Sequence, residues 1–278
     1  MPELPEVETV RRGLVDRVVG RRVEGVEVGR ERVVRRTSRE ELIDGLSGAT
    51  ITAANRRGKY LLLPLDSGDE VMIHLRMSGQ VLHAAAGSAR PAHTHVVMYL
   101  EDDTEVWFVD PRTFGEVVVF DPERVGEVLP ELAGLGVDPV AEQFELRPFR
   151  ATLRSVRRAL KPLLLDQHVI SGIGNIYADE ILHRARLRPD RAASSLDSRA
   201  TRRLHESVGS VLSEAIDAGG STLSDAQYVD LMGAGGSFQN DHRVYARAGE
   251  RCLSCGRGWI RRTVLGGRGT HFCPVCQR

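Results

Sequence analysis

The sequence has no run of about 20 apolar residues, so it offers no membrane-spanning helix. Its start carries neither the basic residues nor the apolar stretch of a secretory signal, which places the protein in the cytoplasm. Cysteine is absent before Cys252, so all four thiols fall in the last 27 residues. Excess charge is absent too: Lys plus Arg equals Asp plus Glu at 38 each, so net charge announces no polyanionic partner. There are no internal repeats, and Met77 and the two tryptophans stand singly and make no cofactor box. No coiled coil or apolar surface stripe is visible, and a monomer is the expected state. What is present is a 278-residue chain, long enough for two domains, with 41% hydrophobic residues to form cores. Charge is unevenly placed. Residues 101–145 hold 13 acids against two arginines, whereas residues 242–278 hold eight arginines and one acid. An acidic middle and a basic end imply that only certain faces meet nucleic acid, although a basic tail alone is more often a solvated surface.

Val7, Val10, Leu14 and Val18 share one helical face, and Val15 and Val19 widen it, predicting a packed helix over residues 4–19 that ends at Gly20. Strand-like runs follow at residues 22–28, 51–54, 60–65, 71–75, 95–100, 106–109 and 116–120, separated by Gly, Asp and Pro clusters. Many short strands with such punctuation predict a β-sandwich. Residues 134–139 read as a linker. Helical patterns then cover residues 151–165, 176–185 and 198–218, and Gly219-Gly220 opens a Gly/Ser-rich loop to Ser237. The fold class expected is α+β. A helix and β-sandwich fill residues 1–135, a helical domain residues 140–236, and a zinc-binding segment residues 237–278.

Cys252-x-x-Cys255 and Cys273-x-x-Cys276 stand 17 residues apart. Two such knuckles match a four-cysteine zinc ribbon, and two disulfides would need an oxidising compartment. All four ligands would be protein thiolates, so a single structural zinc ion is expected. Gly266-Gly267-Arg268-Gly269 lies between the knuckles and would present an arginine at a hairpin tip. Further back, Ile170-Ser171-Gly172-Ile173-Gly174-Asn175 reads as a turn between two helices, with Asn175 as N-cap. A helix N-terminus with free amides suits a DNA phosphate, although an ordinary capped hairpin has the same pattern.

At the other end, Met1-Pro2-Glu3-Leu4-Pro5-Glu6 holds a potential nucleophile. With Met1 removed, the Pro2 secondary amine would titrate near the α-amino value of about 8 and could attack a sugar C1′, with the Glu3 carboxyl beside it to move protons. Alone, the same residues fit a plain helix start, with Pro5 in the first turn and Glu6 and Glu8 near the positive end of the dipole.

Together these stretches resemble the formamidopyrimidine-DNA glycosylases. The likeness covers nearly the whole chain. It rests on the Pro2–Thr9 start, Gly58-Lys59-Tyr60-Leu61, His74-Leu75-Arg76-Met77-Ser78-Gly79, Asp110-Pro111-Arg112-Thr113-Phe114-Gly115, the Gly-Ile-Gly-Asn-Ile-Tyr turn, and the zinc ribbon ending Phe272-Cys273-Pro274-x-Cys276-Gln277. The resemblance implies a helix–two-turn–helix domain after the sandwich, with damaged double-stranded DNA in the cleft between the halves. It implies removal of oxidised purines and strand nicking by β,δ-elimination through a Schiff base on Pro2. Glu3 then matches the residue that protonates the opening sugar, Lys59 a proton donor in β-elimination, and Arg268 the zinc-finger arginine linked to δ-elimination. Asn175 matches the phosphate-holding asparagine, and His93, Arg112 and Arg157 align with DNA contacts. Met77, Arg112 and Phe114 match the side chains that fill the gap left by an everted base. Gly79 and Gly115 imply turns that expose Met77 and Phe114. A bacterial, nucleoid-associated enzyme is implied.

Two departures bear on this. Arg76 stands where the family usually has glycine, and either adds a phosphate contact or crowds the loop. Ser237 stands where an aromatic is commoner, in the region that shapes the pocket for the everted base. The alternatives are an endonuclease VIII-like enzyme for oxidised pyrimidines, against which Leu4 and the complete wedge set speak, and a non-catalytic damaged-DNA-binding protein, against which the Pro2-Glu3 pair speaks.

Overall fold

The computed structural model describes residues 1–223 and 227–278. It divides into two compact units, residues 1–134 with 218–237, and residues 135–217 with 238–278. The segment Ala218–Ser237, grouped by the sequence with the helical part, packs with the N-terminal unit. Residues 224–226 of the Gly/Ser-rich loop lie outside the described residues.

In the N-terminal unit, helix α1 (Leu4–Arg17) buries Val7, Val10 and Leu14 completely, and Val18 beyond its end is buried with them. Each is worth roughly 1.5–3 kcal/mol relative to exposure, so the 3.6-residue pattern alone fixes which face turns inward. Val15 does not join that face; it is exposed. The strands are β1 (Val23–Val28), β2 (Asn55–Arg57), β3 (Tyr60–Pro64), β4 (Glu70–His74), β5 (Gln80–Ala85), β6 (Thr94–Leu100), β7 (Thr104–Val109) and β8 (Glu116–Phe120). They form two four-stranded sheets, ordered β1-β6-β7-β5 and β2-β3-β4-β8, and the pairings within both are antiparallel. Leu61, Leu63, Val71 and Ile73 from one sheet share a single apolar core with Val96, Met98, Val106 and Phe108 from the other. This is the sandwich the sequence predicts.

Three local expectations change. Ile51 forms an isolated bridge to Leu65 instead of opening a strand, and β2 begins at Asn55. Strand β5 and helix α2 (Arg39–Leu46) have no counterpart in the sequence reading. The start of α2 was legible, since Ser38 accepts the Glu41 N–H and Glu41 accepts the Ser38 N–H, a reciprocal cap spelled Ser-x-x-Glu. Two single turns, α3 (Val125–Val128) and α4 (Pro130–Ala133), end this unit.

In the second unit, the helix expected over residues 151–165 is two helices, α5 (Leu146–Ser155) and α6 (Leu160–Leu164). Pro162 is the reason. Inside a continuous helix it would lose a hydrogen bond and clash with the preceding turn, whereas in the first turn of α6 it is tolerated. Helices α7 (Asn175–Arg184) and α8 (Ser198–Asp217) follow, then the hairpin β9 (Arg261–Leu265) and β10 (Arg268–Phe272). No helix among the described residues is long and apolar enough to cross a membrane.

Candidate active site and nucleic-acid interface

Pro2 and Glu3 are buried at the N-terminal end of α1, where Glu3 is the N-cap residue. The Glu3 N–H donates to Glu6 Oε2 at 2.8 Å, and Glu6 Oε1 accepts the Ser221 N–H at 2.7 Å. Glu6 therefore ties the candidate nucleophile–acid pair to the loop after α8. Gly220 is required there, because its φ is +80° and a Cβ would lie 2.8 Å from Glu6 Oε1. From the sequence, Glu6 is only a carboxylate favourable to the helix dipole; its contact with Ser221, 215 residues away, exists only in the fold.

Lys59 is buried in the tight turn between β2 and β3. That turn is fixed from α1. Buried Arg56 donates to Glu8 Oε2 at 3.0 Å and to the Gly58 carbonyl at 2.9 Å. Burial alone would raise the Glu8 pKa, but hydrogen bonds from Arg11 and Arg56 bring it down to about 2. Glu8 thus stays ionised and keeps Arg56 in place.

Met77, Arg112 and Phe114 are all exposed, on the turns after β4 and β7. The Arg112 guanidinium lies over the Phe114 ring at 5.0 Å, so two of the three stack on each other. Fully buried Asp110 joins both turns. Its Oδ1 accepts the Ser78 hydroxyl at 2.6 Å and the Arg112 N–H at 3.2 Å, and its Oδ2 accepts the Gly115 N–H at 2.7 Å. Gly79 and Gly115 are needed for space and not for positive φ: a Cβ would meet the Leu75 carbonyl at 2.6 Å and the Phe108 ring at 2.4 Å. His93 is exposed with φ +67°, and its carbonyl accepts the Asp110 N–H at 3.0 Å.

In the second unit, Arg157 is exposed in the break between α5 and α6. Gly174, not Asn175, is the N-cap of α7, and Asn175 is its first residue. Asn175 Oδ1 is buried with no hydrogen-bond partner among the described residues. The turn before it is pinned by Gln167, which donates to the Leu165 and Ile173 carbonyls and accepts the Gly172 N–H. Arg268 is exposed as the first residue of β10, with Gly266 (φ +57°) and Gly267 (φ +73°) forming the turn itself. The hairpin is anchored by a completely buried ion pair. Lys161 Nζ lies 2.7 Å from Asp179 Oδ1 and donates to the Gly269 carbonyl at 2.8 Å, while Asp179 Oδ2 accepts the His271 N–H at 2.8 Å. Nothing in the sequence marks this pair, because its two members sit on α6 and α7 and their partners Gly269 and His271 on β10.

The Sγ atoms of Cys252, Cys255, Cys273 and Cys276 all lie within 4.8 Å of one another, and none is in a disulfide. The separations Cys252–Cys276 and Cys255–Cys273 are 3.6 and 3.9 Å, bracketing the roughly 3.8 Å edge of a tetrahedron with zinc–sulfur bonds of about 2.3 Å. The Gly258 N–H points at Cys255 Sγ and helps hold that thiol down to about 6. The set fits one structural zinc with no open coordination position. Removing zinc with a chelator should lower the thermal stability of the protein and weaken its binding to a damaged duplex together, because a small closed site draws its folding energy from the metal. A melting curve and duplex affinity unchanged after quantified zinc release would contradict this.

Residues 1–117 match the model for the formamidopyrimidine-DNA glycosylase N-terminal domain, residues 135–227 the H2TH domain of the same glycosylase, and residues 249–278 a zinc finger found in FPG and IleRS. The formamidopyrimidine-DNA glycosylase of Heliobacterium modesticaldum is 44% identical over the whole of both chains. That of Salinispora arenicola is 45% identical over 100% of this chain and 96% of its own. The chain belongs to the formamidopyrimidine-DNA glycosylase family. Among solved structures, the Lactococcus lactis glycosylase in complex with DNA containing an abasic site aligns with TM-score 0.90 and 37% identity, covering 99% of each chain. Its complex with DNA containing Fapy-dG aligns with TM-score 0.89 at 37% identity, over 99% of this chain and 100% of that one.

Within this glycosylase chain, Arg76 answers the question its sequence raised. Its φ is +51°, a region that favours glycine and costs another residue about 1–3 kcal/mol. Its guanidinium turns to Glu116 at 2.7 Å instead of outward, joining Arg35 and Arg36 on that buried carboxylate. Its N–H donates to His74 Nδ1 at 2.9 Å. Burial holds the His74 pKa down to about 3, so the ring is neutral and can accept. Arg76 is a buttress of the Met77 turn. Ser237 is exposed and bonded to the Ala218 carbonyl.

Proposed function

We propose that Pro2, once it is the N-terminal residue, attacks C1′ of an oxidised purine nucleotide. The base then leaves, and an iminium forms between the Pro2 nitrogen and the opened sugar. Glu3 gives a proton to the ring oxygen as the sugar opens, a role that its position beside Pro2 supports. The iminium acidifies the adjacent C2′ proton. Loss of that proton expels the 3′ phosphate, and a second elimination expels the 5′ phosphate. Lys59 serves the first elimination, and Arg268 neutralises charge on the flanking phosphate during the second. The chain is a base-excision-repair glycosylase and abasic-site lyase that acts on damaged DNA.

The observation that carries the residue assignment is the hydrogen-bonded Glu3–Glu6–Ser221 chain at the buried start of α1. The Glu3–Glu6 bond by itself is half of a capping box that any helix start can make; the bond from Glu6 to Ser221, 215 residues away, is what a segment that merely opened a helix would not need. Met77 and Phe114 act as apolar wedges, Arg112 faces the orphaned base, and Asn175, Arg157 and His93 hold phosphates. The partner is damaged double-stranded DNA, bound by a monomeric protein in the bacterial cytoplasm.

The lesion class is tested by comparing excision of 8-oxoguanine and of thymine glycol from otherwise identical duplexes. Oxidised purine should be released faster. Preference for thymine glycol would assign the chain to the pyrimidine-processing branch.

A further inference from the structure

We propose that a second cleft, at the zinc end of the C-terminal unit, binds an acidic peptide segment of a partner protein. The cleft has a volume of about 1050 Å³. Arg184 and Arg186 line it from the end of α7, Arg199 and Arg203 from α8, and Arg243 and Arg257 from the segment around the first zinc knuckle. Arg191 and Arg278 complete the ring, and no aspartate or glutamate lines it. The residues come from stretches far apart in sequence, so the count of arginines along the tail does not reveal the site.

These charges are only partly answered. Arg184 pairs with Glu214 at 2.7 Å. Among the described residues, the other seven arginines have no aspartate or glutamate carboxylate within 4.0 Å. Asp197 acts on Arg191 and Arg203 from further off, and Cys255 and Cys276, members of a zinc–thiolate set of net negative charge, lie in the lining. Several are held in place by backbone: Arg203 Nε donates to the Ala185 carbonyl and Arg191 Nη1 to the Arg278 carbonyl, each at 3.3 Å. A guanidinium cannot shed its proton, so eight arginines against these few negative groups leave the cleft with an excess of positive charge. Cations at a helix C-terminus complement its dipole. That accounts for Arg184 and Arg186 but not for the four contributed by α8 and the zinc segment.

The cleft is separate from the residues assigned to DNA. Helix α7 has ten residues, about 15 Å of axis, with Asn175 at its start and the cleft at its end. Arg268 likewise begins β10, while the knuckle Cys273–Cys276 follows the other end of that strand.

The chemistry of the lining selects the occupant. A rigid duplex cannot enter a concave pocket, and single-stranded nucleic acid is held by aromatic platforms as well as charge. No Phe, Tyr or Trp lines the cleft, and its one ring, His183, is largely buried. Arginine forks pair bidentately with carboxylates. Val275, in the lining itself, offers an apolar contact. An extended peptide rich in Asp and Glu with one large apolar side chain meets all of these features.

The test uses the full-length, zinc-loaded protein and a fluorescein-labelled decapeptide of Asp and Glu with a single Leu, read by fluorescence anisotropy. The same peptide with Asn and Gln in place of the acids is the control. The acidic peptide should bind and the neutral one should not. Arg199→Glu and Arg257→Glu should each weaken binding by about 10-fold or more, as for loss of a charge-assisted pair. Arg154→Glu, the same charge change on α5 outside the cleft, should leave it within about twofold, the size of a screened long-range effect. Nicking of an 8-oxoguanine duplex by Arg199→Glu should match wild type. Zinc content and melting temperature check that Arg257→Glu keeps its fold, and Arg199→Glu, remote from the cysteines in sequence, decides alone if it does not. Absence of binding, or equal weakening by Arg154→Glu and Arg199→Glu, would overturn the proposal. So would an oligothymidine that binds more tightly than the peptide and responds to the same variants, which would make the cleft a nucleic-acid site.

Discussion

Borohydride should trap a covalent complex between the chain beginning at Pro2 and a duplex carrying 8-oxoguanine or an abasic site, and Pro2→Gly should cut the trapped yield by about 100-fold. The reasoning is geometric as well as chemical. Glycine keeps a nucleophilic amine, so the chemistry itself survives. What is lost is placement: the pyrrolidine ring, buried just ahead of α1, holds its nitrogen in one position, and a small misplacement of a reacting atom costs on the order of 10² in rate. A chain that retains Met1 has an amide at the Pro2 nitrogen and should trap nothing. Glu3→Gln and Glu6→Gln separate two roles. The first removes the proton donor, so base excision should fall by about 10²–10⁴. The second leaves the donor but loosens its tether to Ser221, and should cost less. Trapping by Pro2→Gly at the wild-type level, or trapping by the Met1-retaining form, would move the nucleophile elsewhere in the chain.

Lys161→Met should destabilise the protein by about 3–5 kcal/mol, because it strands the Asp179 carboxylate in a fully buried position. The double variant Lys161→Met with Asp179→Leu should regain much of that loss, since two apolar side chains replace two desolvated charges. Denaturant titration of the three proteins measures both effects. The function need not follow the stability. Lys161 and Asp179 hold the Gly269 carbonyl and the His271 N–H, which flank the strand end that presents Arg268. The double variant should therefore fold and still nick abasic DNA poorly at the second elimination, leaving a larger share of β-elimination product. A single variant within about 1 kcal/mol of wild type would mean that the pair is worth no more than a solvated one.

Much of the site was legible because its parts are local. The zinc ligands are two short repeats whose spacing is the chemistry, and the four Sγ atoms meet as those repeats require. The turns that carry the proposed wedge residues were legible through short motifs, and Met77 and Phe114 are exposed as those turns imply. The failures have definite causes. Strand β5 ends in alanines with little strand preference and is fixed by pairing with β7. The helix break at residues 156–159 is stabilised by a bridge from Ala159 to Ala192, which helical periodicity cannot register. Arg76 looked like a crowding or phosphate-binding substitution because Glu116, its partner, is 40 residues away.

The sequence by itself determined the proposed reactive pair at the start, the four clustered cysteines at the end, and the alternation that makes two sheets. Covalent neighbours and short periods settle those matters without help. Only the tertiary structure decided what holds the reactive groups still: Glu6 on Ser221, Asp110 across two turns, Lys161 on Asp179, and a ring of arginines drawn from separate segments. Each depends on hydrogen bonds or electric fields acting over a few ångströms between residues tens to hundreds of positions apart. Such distances exist only after the chain has folded.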